Sequence, residues 1–129
     1  MAVSTRLAKR TGATLSAVVA VFLFADAIMK LLRLEVVIST MRDLGWPESA
    51  VVPLGLLLLA CTLLYALPRT SVLGAVLLTG YLGAAVATHA RIGSPLFTHT
   101  FFGVYVGALM WAGLFLRDPA LREIFPARR

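Results

Sequence analysis

Residues 51–67 of the chain read VVPLGLLLLACTLLYAL, without a single charged side chain. Lipid is the solvent that suits such a run, because a helix of about 20 apolar residues crosses a bilayer. Pro53 falls in the first turn of this predicted helix, where a missing N–H costs little. Three further apolar runs occupy residues 13–32, 71–88 and 96–116. The sequence therefore predicts an all-α membrane protein, a bundle of four transmembrane helices in a single domain over residues 1–129.

The composition agrees with a protein surrounded by lipid. Of the 129 residues 60% are hydrophobic and 14% are charged, whereas soluble domains are roughly 45–50% apolar. A soluble domain of this length needs a large polar surface that these residues do not supply. The net charge of +6 does not indicate nucleic acid, because the basic residues lie at the ends of apolar runs and not along one polar face. The bilayer is the expected partner.

The first apolar run has the beginning of a signal peptide, since Arg6, Lys9 and Arg10 precede it and Ala25-Asp26-Ala27 resembles a cleavage site. The apolar pattern nevertheless continues past that point to Leu32. We therefore expect a retained span.

Residues 34–44 follow a different pattern, with apolar side chains at the i, i+3, i+4, i+7 spacing of an amphipathic helix. Gly45 suits the position after a helix C-terminus, and Pro47 then prevents continuation. Trp46 fits an interfacial anchor. We predict a short interfacial helix between spans one and two.

Orientation follows from the distribution of Lys and Arg. The side that holds both termini carries 8 of them (Arg6, Lys9, Arg10, Arg69, Arg117, Arg122, Arg128 and Arg129), and the other side carries 4 (Lys30, Arg33, Arg42 and Arg91). The positive-inside rule then predicts cytoplasmic N and C termini.

Close helix packing in lipid requires small residues at the contacts. Spans three and four supply four pairs at i, i+4 spacing: Gly80 and Ala84, Gly83 and Ala87, Gly103 and Gly107, Ala108 and Ala112. We expect these two spans to pack closely along Gly80, Gly83, Gly103 and Gly107, and we expect Gly107→Leu to destabilise the fold.

Ionisable residues at membrane depth are costly and indicate function, and in this chain they gather at one end. On the predicted topology the extracytoplasmic side holds Asp26, Lys30, Glu35, His89, Arg91 and His99. Asp26 and Lys30 are four residues apart and therefore lie on one helical face. The acidic residue precedes the basic one, which is the favourable order for an ion pair. Two interpretations stay open: an internal ion pair with a snorkelling lysine, or a functional Asp26 that acts as a proton carrier or as the partner of an imidazolium from His89 or His99.

His89 and His99 suit acid–base exchange, metal or haem ligation, or hydrogen bonding to a quinone carbonyl. We do not expect metal or haem binding, because the two histidines lack a third ligand at a suitable spacing. The sequence also contains no CxxCH, HExxH or glycine-rich phosphate loop. Tyr81 lies about two helical turns before His89 and joins the two histidines as a candidate cofactor-binding residue. Aromatic residues at this spacing more often pack in a helix bundle than bind a cofactor.

Four stretches resemble the DoxX-like family of small bacterial membrane proteins. They are Leu44-Gly45-Trp46-Pro47-Glu48-Ser49, Pro68 to Ala75, Gly80 to Arg91 with Gly93 and Pro95, and Trp111 to Pro119. The resemblance implies four helices and a bacterial cytoplasmic membrane. The family takes its name from a subunit of a thiosulfate:quinone oxidoreductase, so the analogy to a redox activity is at the level of the fold.

Three classes of function remain open from sequence. The preferred one is a membrane component of a redox or quinone-linked system, with a polar extracytoplasmic site that contains the candidate catalytic residues Asp26, Lys30, His89, Arg91 and His99. Its ligand is a quinone or a small anion, and its partner is a second copy of the chain or another membrane subunit. The alternatives are a small proton-coupled transporter and a non-catalytic scaffold or assembly subunit.

Overall fold

The computed structural model describes residues 2–125 and contains six α-helices in that range: α1 (Ala2–Leu31), α2 (Glu35–Asp43), α3 (Val51–Ala66), α4 (Ser71–Arg91), α5 (Phe102–Arg117) and α6 (Pro119–Ile124). A 3₁₀ turn, Glu48–Ala50, leads into α3, and a π-helical turn, Leu96–Thr100, leads into α5. Four segments are long and apolar enough to cross a membrane: Thr5–Leu31, Glu48–Ala66, Ser71–Arg91 and Leu96–Arg117. The prediction of an all-α four-span protein is confirmed. Arg128 and Arg129, which contribute to the charge bias, lie outside the described residues.

The four long helices form a square bundle. Helix α1 packs against α3 and α5, and α4 packs against the same two helices, so α1 and α4 lie on a diagonal. Consecutive long helices run antiparallel, as their short connections require. The largest fully buried side chains include Leu58, Tyr65, Leu78 and Met110, which come from α3, α4 and α5 and fill the centre.

Three helices end on a residue with positive φ. Gly45 (φ 88) follows α2, Gly93 (φ 72) follows α4, and Arg33 (φ 54) follows α1. At Gly45 the next amide, Trp46 N, donates to the Met41 carbonyl at 2.9 Å, and Gly45 N donates to Arg42 O at 3.0 Å. These two bonds define a Schellman cap, so the predicted role of Gly45 is confirmed.

Helix α2 is the predicted amphipathic helix, and its bounds lie one residue inside the predicted 34–44 at each end. Val37, Ile38 and Met41 are buried and pack with Val51, at the start of α3. The polar face carries Glu35, Arg42 and Asp43. The short helix therefore lies across one end of the bundle.

We name the two ends by their structure. The cavity end contains α2, the C-termini of α1 and α4 and the N-termini of α3 and α5. The closed end contains the α3–α4 turn, the N-terminal part of α1 and the C-terminus of α5.

The closest backbone approaches occur at the closed end and involve glycines that the sequence analysis did not select. A Cβ at Gly113 would lie 2.7 Å from Ser16 Oγ and 2.9 Å from Ser16 N, and a Cβ at Gly74 would overlap the Tyr65 backbone. Helices α1 and α5, and α3 and α4, therefore meet only because these positions lack side chains.

The predicted contact along four glycines of spans three and four is partly wrong. Gly103 does contact α4, since a Cβ there would lie 2.9 Å from the Leu82 carbonyl, whereas at Gly107 the nearest atom is a Leu82 methyl at 3.7 Å. A Cβ at Gly80 or Gly83 would meet nothing within 4 Å. Gly80 and Gly83 therefore make no close contact with α5, and Leu82 is the α4 residue that lies against both Gly103 and Gly107.

Two further elements differ from the sequence prediction. Helix α1 begins at Ala2, about two to three turns before the apolar run, so the basic residues Arg6, Lys9 and Arg10 are helical. Asp118 follows the last residue of α5, and its carboxylate accepts hydrogen bonds from Ala120 N and Leu121 N, at 3.1 and 3.4 Å. It therefore caps α6, which was not predicted.

Candidate functional site

A cavity of about 750 Å³ occupies the cavity end of the bundle. Its volume lies within the range of roughly 300–1,000 Å³ that is usual for small-molecule sites. All four long helices, α2 and the π-helical turn contribute to its lining, which is mostly apolar. The ionisable and phenolic members of that lining are Asp26, Lys30, Cys61, Tyr81, His89 and His99. Of the six candidate catalytic or cofactor-binding residues proposed from sequence, all but Arg91 thus line one cavity.

Asp26 and Lys30 form an ion pair on α1. Lys30 Nζ donates to Asp26 Oδ1 at 2.7 Å, with 10% of the lysine side chain and 36% of the aspartate side chain exposed. The four-residue spacing brings the two groups together, as expected for one helical face. Gly55 on α3 makes room for the lysine, because a Cβ there would lie 2.9 Å from Lys30 Cβ. The lysine ammonium is therefore held inside the protein, and the carboxylate is nearer the cavity opening.

Two histidines lie side by side, although they come from different elements. Their ring centroids are 6.0 Å apart with an interplanar angle of 60°. His89 ends α4, and His99 belongs to the π-helical turn. That turn follows Pro95, whose carbonyl accepts from both His99 N and Thr100 N at 3.0 Å. The short connection of residues 92–95 is what returns the chain to His89.

Each imidazole is held through Nδ1 by a neighbouring hydroxyl. His89 Nδ1 hydrogen-bonds to Ser94 Oγ at 3.0 Å, and His99 Nδ1 hydrogen-bonds to Thr98 Oγ1 at 2.8 Å. Neither Nε2 has a hydrogen-bond partner among residues 2–125, and the same is true of the Tyr81 hydroxyl. These three groups are free to donate to or accept from a ligand.

Arg91 stands apart from the other proposed residues. It does not contribute to the cavity lining, and its Nη2 donates to the Leu44 carbonyl at 3.0 Å. The guanidinium lies over Gly45, where a Cβ would be 2.5 Å from Nη2. Arg91 thus ties the end of α4 to the end of α2.

The sequence analysis missed the part of the lining that comes from α2. Val37 and Met41 line the cavity from this helix, and Leu44 and Trp46 join them from the following loop. Their amphipathic spacing was recognised, but it was assigned to the membrane interface. Nothing in that spacing distinguishes an apolar face that meets lipid from one that covers a cavity.

The donor set defines what this site can bind. Among the described residues no group of three His, Cys, Asp or Glu side chains is placed to hold a metal ion. The lining offers two imidazole Nε2 atoms, a phenol and a carboxylate beside a broad apolar wall. Such an arrangement suits an organic molecule with a polar head and an apolar body.

These features define a polytopic membrane protein with an amphipathic cavity at one end of a four-helix bundle. A sequence model of the DoxX-like family matches residues 14–113. The chain belongs to the DoxX-like family. No curated protein and no solved structure matches it.

Proposed function

We propose that the protein is a membrane component of a redox system and binds a quinone in its cavity. The observation that carries the proposal is the convergence of Asp26, Tyr81, His89 and His99 on a single, largely apolar cavity. A quinone has two carbonyl acceptors on an apolar ring, which matches imidazole and phenol donors beside an apolar wall. The DoxX-like membership supports a redox role by analogy alone.

The charges of the cavity favour a neutral ligand over the small anion that the sequence also allowed. Lys30 is the sole Lys or Arg among the described lining residues, and Asp26 already pairs with its ammonium. Arg91, the other cation expected at the site, donates to a backbone carbonyl outside the lining. An anion would have to displace the Asp26 carboxylate, whereas a carbonyl group needs only the free donors.

The redox role requires protons and electrons from different sources. Reduction of a quinone to a quinol consumes two electrons and two protons. The histidines and Asp26 exchange the protons with the headgroup, since imidazole and carboxylate side chains are the usual general acids and bases of proteins. The electrons come from a partner redox subunit in the membrane.

The two other functions are supported less well. A proton-coupled transporter needs a polar path through the bundle, and the centre of the bundle is filled by fully buried apolar side chains such as Leu58, Leu78 and Met110. A scaffold needs no enclosed polar site. That function therefore does not account for the cavity and its free hydrogen-bonding groups.

The tryptophans allow a direct test of quinone binding. The chain has two of them. Trp46 lines the cavity, while Trp111 at the closed end stacks on Phe125 with centroids 5.1 Å apart. We expect decylubiquinone to quench Trp46 fluorescence saturably in a Trp111→Phe variant. The matched Trp46→Phe variant should show only weak, linear quenching.

Site variants extend the same titration. His89→Ala, His99→Ala and Asp26→Asn should each raise the Kd for decylubiquinone about tenfold, because each loses one hydrogen-bonding or charged group worth about 1.4 kcal/mol. Mass spectrometry of the protein purified in mild detergent should detect retained quinone. Absence of both saturable quenching and retained quinone would refute the proposal.

We further propose that the cavity end faces the extracytoplasmic side of a bacterial cytoplasmic membrane, with cytoplasmic termini. The 8 to 4 bias of Lys and Arg supports this orientation. Single cysteines at Ser49 and Arg69, which are exposed at opposite ends, test it in a Cys61→Ala background. An impermeant maleimide added to intact cells should label Ser49→Cys alone, and the reverse pattern would invert the topology.

A further inference from the structure

Helices α3 and α4 are in contact at the closed end and diverge toward the cavity end. At the closed end Gly74 lies directly on the Tyr65 backbone. Farther along, Leu57 of α3 and Leu77, Gly80 and Ala84 of α4 all line the cavity. A helix pair in full contact would bury these positions. Instead Leu57 and Leu77 are 51% and 43% exposed, and Gly80 and Ala84 are exposed as well.

The gap between α3 and α4 is an opening on the lipid-facing side, with a closure at each end. Toward the closed end the opening stops at the contact of Gly74 with the Tyr65 backbone. Toward the cavity end it stops at the hydrogen bond from Arg91 to the Leu44 carbonyl. On the α1–α5 side two large side chains meet across the helix pair, since the Phe22 and Phe102 rings are 5.6 Å apart, although these residues are 45% and 46% exposed. Small residues border the α4 edge of the opening, so the space beside Gly80 is empty to at least 4 Å from a Cβ.

We propose that this opening is a lateral window through which a lipid-dissolved quinone enters, and that its hydrocarbon tail stays in the window while the headgroup reaches the histidines. The inference rests on the proposed function and adds the route and the ligand class: a quinone with a long tail, taken from the bilayer and not from water. The window is defined by Leu57, Leu77, Gly80 and Ala84. Its apolar rim suits a hydrocarbon chain, and the polar groups lie deeper in the cavity.

The two exposed glycines of α4 provide a matched pair of variants. Gly80 borders the window, whereas Gly83 faces away from the cavity, and a Cβ at either position would meet nothing within 4 Å. We compare Gly80→Phe with Gly83→Phe, using the Trp46 quenching assay in the Trp111→Phe background. The probes are decylubiquinone and the tailless headgroup analogue 2,3-dimethoxy-5-methyl-benzoquinone. Ala84→Leu and Ala87→Leu repeat the comparison with smaller changes, in case either phenylalanine variant does not fold.

We expect Gly80→Phe to raise the Kd for decylubiquinone at least tenfold and to leave the Kd for the tailless analogue within about twofold of the parent. Gly83→Phe should leave both values unchanged. Equal loss of both ligands, or no loss of either, would overturn the window while quinone binding itself stands. If the parent protein binds neither quinone, the proposed function has failed and the window fails with it.

Discussion

The two ends of the bundle solve the same problem, the placement of polar groups inside an apolar helix bundle, in opposite ways. At the closed end the Tyr65 hydroxyl hydrogen-bonds to Ser16 Oγ and donates to the Met110 carbonyl, both at 2.8 Å. Ser71 Oγ donates to the Tyr65 carbonyl at 2.9 Å and accepts from Arg117 at 3.2 Å. These groups connect all four long helices in one network. At the cavity end the two imidazoles and Tyr81 keep free polar atoms.

Small residues have different effects at the two ends of the bundle. Gly12, Gly74 and Gly113 allow backbones to touch at the closed end, and their effect is stability. Gly80 and Ala84 are equally small, but they lie beside open space and enlarge the cavity. In lipid, packing is the main force that holds helices together, so a bundle that is tight at one end can leave the other open for a ligand.

The largest expected effect is at the closed end. Gly113→Leu places a side chain where a Cβ would already lie 2.7 Å from Ser16 Oγ, so α1 and α5 have to separate. We expect a loss of about 3 kcal/mol, the upper part of the usual range for overpacking, or a Tm lower by more than 10 °C in detergent by about the usual scaling. Gly83→Leu is the control and should leave the Tm within about 2 °C. Similar Tm values for the two variants would remove the distinction between the ends.

The Asp26–Lys30 pair comes next in size. Asp26→Ala leaves the lysine, 8% exposed, without its partner, and we expect a loss of about 2 kcal/mol, below the usual 3–5 kcal/mol because the carboxylate is partly exposed. The double variant Asp26→Asn/Lys30→Met should regain most of this stability while still failing to bind decylubiquinone tightly. Thermal unfolding and Trp46 quenching on the same samples separate the two effects. A double variant that binds like the parent would make the pair purely structural.

A moderate effect is expected when the closed-end network loses one hydroxyl. Tyr65→Phe removes the bonds to Ser16 and Met110 in a fully buried position, and we expect about 1–2 kcal/mol. Tyr105→Phe is the matched control, because the Tyr105 hydroxyl donates to the Phe97 carbonyl at 2.7 Å on an exposed surface. The control should lose less than half as much in thermal unfolding. Quinone affinity should not change in Tyr65→Phe if the two ends act independently.

The sequence was sufficient for the spans and for part of the geometry of the candidate site. A bilayer admits few solutions for an apolar run, because each backbone polar group must be satisfied within its helix. The runs at 51–67 and 71–88 therefore predicted α3 and α4. The pairing of Asp26 with Lys30 followed from their spacing, and the approach of His89 to His99 is consistent with the short turn between them.

The remaining features depend on helix rotation, which spacing alone does not determine. Gly80 and Gly103 have the same local pattern, yet one faces the cavity opening and the other contacts a backbone. Arg91 is the instructive exception. It lies two residues after His89, which on an α-helix is about 200° around the axis, so the two side chains leave α4 on nearly opposite sides. That signal was present in the sequence.

The smallest expected effect concerns Arg91, which connects the end of α4 to the end of α2 at the cavity end. Arg91→Met removes the donor to the Leu44 carbonyl; because the arginine is exposed, we expect a loss of no more than about 1 kcal/mol. Arg42→Met, on the exposed face of α2 and without a described partner, is the control and should change nothing. The informative readout is local, since loss of this bond should increase hydrogen exchange of the α2 amides and leave those of α3 unchanged. If α2 exchange is the same in both variants, Arg91 does not hold α2 in place.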